Sequence, residues 1–189
     1  MRSLLALAFP ALLLLPACTT DATPETHSDQ PVETIGGDAA TVVHLDPTMT
    51  PSTGDPVADL RAHVAALTAS PEHDAERVQV QHLLVSFAGA GTRASRSKQE
   101  AEALAADLWA QILAGADFDA LVKEHTDDSY PGIYTMVPGG GRPPTTYNRG
   151  GMVPAFGNVG WRLDVGEFGV AGFDAKASPY GWHIVKRTE

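Results

Sequence analysis

Residues 19–57 contain no lysine or arginine, while seven acids (Asp21, Glu25, Asp29, Glu33, Asp38, Asp46 and Asp55) and five prolines are scattered among Thr, Ser and Gly. A stretch this polar buries too little apolar surface to offset the entropy of ordering its backbone. Residues 18–57 therefore read as a disordered tether, and any hydrophobic core is confined to the residues C-terminal to it. Val42-Val-His-Leu45 is the tether's one apolar island, either solvated or docked on the domain.

Ahead of the tether, Arg2 precedes an apolar run over residues 4–15 that ends in Leu15-Pro-Ala-Cys18. The short apolar centre and small-residue exit have the form of a secretory signal. The run falls short of the roughly 20 apolar residues a spanning helix needs. Cys18 is the sole cysteine, so no internal disulfide can form. Leu-Pro-Ala-Cys resembles the lipobox of bacterial lipoproteins. That resemblance implies a signal peptide over residues 1–17, lipidation of Cys18 and an extracytoplasmic protein held to a membrane through its lipid anchor. Thr19 after the cysteine, rather than Asp, points by the same resemblance to the outer membrane, facing the periplasm, in a cell with two membranes. A plain secretory signal with an incidental cysteine is the alternative.

With 189 residues and 43% hydrophobic content, the chain can fill one ordinary core but not two large ones. The net charge of -10, without a Lys/Arg cluster, offers no footprint for nucleic acid. We expect one folded unit, monomeric.

The 59–69 run places Leu60, Val64 and Leu67 at helical spacing, with Asp55 or Asp59 as cap and Pro71 favouring termination. It reads as a short helix within residues 58–75, packed beside a domain of residues 76–189, with His63 on its surface. In Val78-Gln-Val-Gln-His-Leu-Leu-Val, the residues Val78, Val80, His82 and Leu84 share one face of a period-two strand. A histidine thus sits on an apolar face, where a hydrogen-bonded core residue is the default. Ser97-Lys-Gln-Glu100 fits a capping box before a helix whose inner stripe is Ala101, Leu104, Ala105, Leu108 and Ile112, ending at Gly115. Asp117 caps a second helix that turns Phe118, Leu121 and Val122 inward.

Several chemistries lack their residues. No Gly-x-Ser-x-Gly nucleophile elbow is present. His82, His125, His183 and the Asp127-Asp128 pair lack zinc-protease or calcium-loop spacing. The tri-glycine at 139–141 is not followed by Gly-Lys-Ser/Thr and is no phosphate loop. We expect no metal and no cofactor.

The order His82-Leu-Leu-Val, helix, Ala114-Gly-Ala-Asp-Phe-Asp-Ala-Leu, Thr126-Asp-Asp-Ser, Gly151-Met-Val-Pro-Ala-Phe, Val165-Gly-Glu and Tyr180-Gly-Trp-His-Ile-Val resembles the parvulin class of peptidyl-prolyl isomerases over residues 76–189. The resemblance implies an α+β fold, a four-stranded antiparallel sheet wrapped by about four helices, with a proline pocket on one sheet face. Carried over residue by residue, it makes His82 and His183 the paired histidines of the sheet centre. Asp128 takes the position where the class carries cysteine or aspartate, and Met152 and Phe156 line the proline pocket. Tyr180 borders that pocket, and Tyr134 or Met136 replaces its usual leucine. The implied partners are unfolded or proline-containing polypeptides. Read without the resemblance, Met152 and Phe156 are core residues, the histidines hold the sheet, and Asp128 is a turn residue or a helix-end group.

The chain departs from the class between Pro131 and Gly150, where a compact Gly-Asp-Leu-Gly segment is replaced by a longer run rich in Gly and Pro. This reads as a flexible insertion at the pocket rim, or, more sharply, as a lure that places Pro143 or Pro144 in the pocket. Arg93, Arg96 and Lys98 do not form the basic cluster by which some parvulins select phosphorylated substrates, so phosphate-independent recognition is expected. The same apolar cup also suits a membrane-tethered binding module that has lost turnover, and the sequence leaves both readings open.

Overall fold

A computed structural model describes residues 52–189. The signal segment, Cys18, the tether up to residue 51 and its apolar island lie outside the described residues. The order is α1 (Pro56–Ala69), β1 (Val78–Val85), α2 (Lys98–Leu113), α3 (Phe118–His125), β2 (Ile133–Val137), β3 (Tyr147–Asn148), α4 (Pro154–Val159), β4 (Phe168–Ala171) and β5 (Trp182–Arg187), with 3-10 turns at Arg149–Gly151 and Gly160–Arg162. The strands form one sheet in the order β3-β2-β1-β5-β4. Four of them are antiparallel, as expected; the fifth, β3, is added parallel to β2 by pairing Met136 with Tyr147 and Val137 with Asn148.

The period-two pattern of β1 divides the apolar residues between two layers. Leu83 and Val85 of β1, with Trp182 and Ile184 of β5, face α1, α2 and α3. Val78 and Val80, with Met136 and Val185, face α4 and Trp161. Both signals read for α2 are present: Ser97 accepts from Glu100 N, and the Glu100 carboxylate accepts from Ser97 N. Asp117 caps α3 through Asp119 N and Ala120 N, and Phe118, Leu121 and Val122 are buried.

α1 begins at Pro56 with Asp55 as its cap, and it is more deeply embedded than a flanking helix. His63 is not on the surface: it is 1% exposed, its ring lies 4.2 Å from Trp109, and its Nε2 accepts from Val170 N. Leu60, His63 and Leu67 fall on one helical stripe, so the phase that buries the leucines buries the histidine too.

The insertion lies at the sheet edge instead of over the pocket. Arg142 and Thr146 close a tight loop, Arg142 N donating to Thr146 Oγ1 and Thr146 N to Arg142 O. The chain then adds β3, which reaches its place because Gly141 lies against it: a Cβ there would sit 2.4 Å from Asn148 N. Pro143 and Pro144 are exposed and do not line the pocket, which removes the lure. Among the described residues, no helix is long and apolar enough to cross a membrane.

Candidate active site

Register brings the two histidines together. His82 is paired with Val185 and Leu84 with His183, so the two rings are diagonal neighbours on one sheet face. His82 Nε2 and His183 Nδ1 are 2.9 Å apart, the rings are inclined by only 16°, and both residues are buried. Two backbone features fix this arrangement. His82 N donates to Gly132 O, and Gly181 enters β5 at φ 136, with so little room that a Cβ would meet Val85 O at 2.2 Å.

Asp128 reaches the pair because the segment after α3 zips along the end of β1. Leu84 N donates to Thr126 Oγ1, Asp127 N to Leu84 O, and Ser86 N to Asp127 Oδ2. Asp128 then places Oδ2 3.4 Å from His82 Nδ1 and accepts from the Tyr134 hydroxyl at 2.6 Å. The histidine contact is electrostatic rather than a well-formed hydrogen bond, since His82 Nδ1 has no bonded partner among the described residues. A carboxylate beside Nδ1 favours the His82 tautomer protonated there. Nε2 is then left to accept from His183 Nδ1-H. His183 Nε2, also without a partner among the described residues, retains only a lone pair, which costs less to bury than an orphan donor.

The charges follow from burial and neighbours. Burial lowers the pKa of His82, partly opposed by Asp128; burial also holds His183 well below its ordinary value, with repulsion from His82 adding to it. The facing His82 and the hydroxyl of Tyr134 keep the Asp128 carboxyl well below the usual carboxylate range, against the effect of its own burial. Burial, and then Asp128, push the Tyr134 phenol well above its usual value. At neutral pH His82 and His183 are therefore neutral imidazoles, Asp128 is a carboxylate and Tyr134 is a protonated phenol.

This arrangement makes acid destabilising. Both imidazoles have folded-state pKa values below the unfolded value of about 6.5, so beneath that pH the unfolded chain binds more protons. Their contribution is full above about pH 6.5 and declines as pH falls toward the folded-state values. We expect the thermal midpoint followed by circular dichroism to drop between about pH 7 and 5, and less steeply in His183→Asn. A midpoint that stays level over that range, or an equal slope in the variant, contradicts this reading.

Above the histidines lies a cavity of about 250 Å³. Small-molecule sites commonly occupy about 300–1,000 Å³, so this one suits a residue-sized group. Phe156, on α4, forms its inner wall, with ring centroids 4.7 Å from His82 and 5.5 Å from both His183 and Tyr134. Met152 lines the cavity from just before α4, and Tyr180 stands at the rim over Gly91.

The structure thus gathers His82, Asp128, His183, Met152, Phe156, Tyr180 and Tyr134 around one cavity. Met136 is the exception. It shares the face of Tyr134 but lies one pleat further along β2, fully buried beside Val78 and Val80 where Gly160 passes close above. Of the two candidates for the leucine position, only Tyr134 meets the cavity. Sequence reasoning did not identify Leu84, Gly91, Thr92, Asp127 and Val153 as lining residues. Leu84 was findable, being two residues from His82 on the same face, whereas Gly91 and Thr92 belong to a loop without periodicity.

The basic residues after β1 are largely engaged elsewhere. Arg96 pairs with Asp127 and donates to Ser86 O, and the Lys98 ammonium lies 4.7 Å above the Phe173 ring. Arg93 is exposed. Among the described residues, no group of three or more His, Cys, Asp or Glu side chains is placed to hold a metal ion.

Residues 66–189 match the family model described as the PPIC-type PPIase domain. The chaperone SurA of Chromohalobacter salexigens is 35% identical over 108 residues, 57% of this chain and 21% of SurA, so the chain spans about a fifth of that curated relative. Similar solved structures include the peptidyl-prolyl isomerase ESS1 from Candida albicans, with TM-score 0.47 and 21% identity over 74% of this chain and 80% of that one. The solution structure of TbPIN1 is similar with TM-score 0.45 and 20% identity, over 61% of this chain and 99% of that one.

Proposed function

Because the chain belongs to the PPIC-type peptidyl-prolyl isomerase (PPIase) domain family, we propose that it catalyses cis-trans rotation about X-Pro bonds and assists the folding of secreted or envelope proteins from a lipid anchor at Cys18. The observation that carries the isomerase reading is the apolar cavity floored by two neutral histidines with a single carboxylate beside them.

Resonance sets a barrier of about 18–20 kcal/mol to peptide rotation, and unaided X-Pro bonds turn over in tens to hundreds of seconds. No covalent bond need form. A twisted amide has lost its resonance and is less polar than the planar one, so a dry apolar surround disfavours the planar state relative to the twisted one. Met152, Phe156 and the Tyr134 ring grip the prolyl ring, while Asp128 and the histidines provide a fixed electrostatic floor that needs no reorganisation as the bond turns. Four decades of acceleration require about 5–6 kcal/mol of barrier lowering, which binding and electrostatics can supply without a cofactor.

With Arg96 engaged by Asp127, recognition is indifferent to phosphate on the residue before proline. The location rests on the sequence around Leu15-Pro-Ala-Cys18. In a bacterial host, palmitate incorporation that persists in Cys18→Ser would defeat it.

A second reading, a peptide-holding chaperone with weak turnover, is favoured by the similarity to SurA. Refolding of a small protein limited by a slow proline phase separates the two. Acceleration of that phase at a few per cent of the client concentration identifies an isomerase. Suppression of aggregation only near one-to-one stoichiometry, with the slow phase unchanged, identifies a holding module.

Truncating the inner wall tests the grip. Phe156→Ala removes a 3% exposed ring, for which about 3–5 kcal/mol of stability is the usual loss. It is expected to weaken X-Pro peptide binding at least tenfold in calorimetry under conditions where circular dichroism shows the variant folded. Unchanged affinity would place the prolyl ring elsewhere.

A further inference from the structure

We propose that Tyr134 is a positioning residue that holds Asp128 toward His82, and that the inserted strand β3 belongs to the site because Tyr147 braces the Tyr134 ring. The proposal rests on the isomerase reading of the cavity and gives the insertion a task there.

One carboxylate oxygen serves two neighbours. Asp128 Oδ2 accepts from the Tyr134 hydroxyl at 2.6 Å and faces His82 Nδ1 at 3.4 Å. Asp128 lies in a bend just after α3 and is partly exposed, and its own backbone N-H bonds back to Thr126 Oγ1. Besides the phenol, its carboxylate is held by the backbone N-H of Ser129 and the facing His82, so the phenol is the side-chain hydrogen-bond donor that turns that oxygen inward. The Tyr134 ring is held by His82 edge-on at 5.8 Å, by Phe156 edge-on at 5.5 Å and by Tyr147 at 5.5 Å. The first two contacts come from the cavity side, and the third comes from the sheet edge. Were β2 the last strand, the outer side of Tyr134 would face solvent. β3 closes it by pairing Tyr147 opposite Met136, and Gly141 sets the position of Tyr147, because a Cβ at 141 would lie 2.4 Å from the Tyr147 carbonyl carbon.

Besides the backbone N-H of Ser129, few groups among the described residues face Asp128. They are His82 on β1, with His183 on β5 behind it, and Tyr134 on β2, itself backed by Tyr147 on β3. The adjacent Asp127 is paired with Arg96. Of the neutral groups, the phenol makes the short hydrogen bond to the carboxylate, so its removal has a readable signature.

The test is the titration of the Asp128 carboxyl by carbon-detected NMR, together with kcat and KM for an X-Pro peptide, in the intact chain and in Tyr134→Phe, Tyr147→Ala, Tyr147→Phe and Gly141→Ala. Tyr134→Phe keeps the cavity wall and removes one hydrogen bond to a charged group. The Asp128 midpoint should rise by about one to two pH units, with kcat down about fivefold or more and KM within about twofold. Tyr147→Ala and Gly141→Ala should move both readouts in the same direction by less, and Tyr147→Phe, which keeps the ring that braces Tyr134, should move the Asp128 midpoint less than Tyr147→Ala does. An Asp128 midpoint in Tyr134→Phe that superimposes on that of the unaltered chain overturns the proposal. A wild-type shift in Tyr147→Ala overturns the role of β3. The titration needs no turnover, so an inactive chain whose Asp128 midpoint still rises would refute the isomerase reading and uphold the positioning.

Discussion

Asp128→Ala is expected to lower kcat/KM for X-Pro isomerisation by about ten- to a hundredfold while leaving the domain folded. Among the described residues the side chain is held by the Tyr134 hydroxyl, the facing His82 Nδ1 and the backbone N-H of Ser129, and it is 32% exposed, so its loss opens no sealed cavity. What disappears is the fixed charge that selects the His82 tautomer and, through it, the direction of the His82-His183 hydrogen bond. Removing one preorganised electrostatic group from an enzyme site commonly costs about a hundredfold or more in kcat; a reaction without bond cleavage should fall at the lower end. Asp128→Asn retains shape and an acceptor for Tyr134 without the charge, and should lie between the two. Because the folded-state pKa of Asp128 is depressed, its contribution to stability is present above the unfolded value of about 3.9 and is lost only as pH falls through the folded-state value. At pH 7 the unaltered chain carries that full contribution and Asp128→Ala lacks it, so the rates are compared at a temperature where circular dichroism shows both chains folded. Equal rates for Asp128→Ala and the unaltered chain would remove Asp128 from the site.

Gly132→Ala should be severely damaging for so small a substitution. Gly132 has φ 69, and a Cβ would lie 2.3 Å from the carbonyl oxygen of His82 and 3.3 Å from its carbonyl carbon. A left-handed conformation costs a non-glycine residue about 1–3 kcal/mol, and overlap with backbone, which no rotamer relieves, adds about as much. We expect a loss of about 3 kcal/mol or more, or roughly 10 °C in thermal midpoint. Isomerisation should fall as well, since Gly132 O accepts from His82 N and any retreat shifts the central histidine. Gly139→Ala is the control: it has nothing within 4 Å of the added carbon and should change neither quantity. A Gly132→Ala chain as stable as the Gly139→Ala chain would mean that the β1-β2 junction is not built as described.

What was legible in the sequence was whatever depends on local pattern. The capping box at Ser97 and Glu100, the Asp117 cap and the alternation of β1 each place side chains by rules that act over a few residues, and these elements formed where expected. The alternation alone put His82 on an apolar face; its pairing with His183, 101 residues away, required the resemblance. Depth was less visible than face. Tyr134 and Met136 have the same parity, and only the covering turn around Gly160 makes one a cavity wall and the other core. His63 shows the same limit, because its stripe was readable but the Trp109 and Val170 that enclose it come from α2 and β4. β3 could not be read at all: two residues carry no period, and their place is set by pairing with β2 and by the close passage of Gly141.

The central claim is that the cavity over His82 and His183 turns X-Pro bonds, and exchange NMR on an unmodified X-Pro peptide with a substoichiometric amount of the intact chain measures this without a coupling protease. Spontaneous exchange takes tens to hundreds of seconds. The account predicts cis-trans cross-peaks that build up in well under a second and are suppressed at least tenfold in Asp128→Ala. Peptide binding at the cavity without any acceleration, across several residues preceding proline, would contradict it.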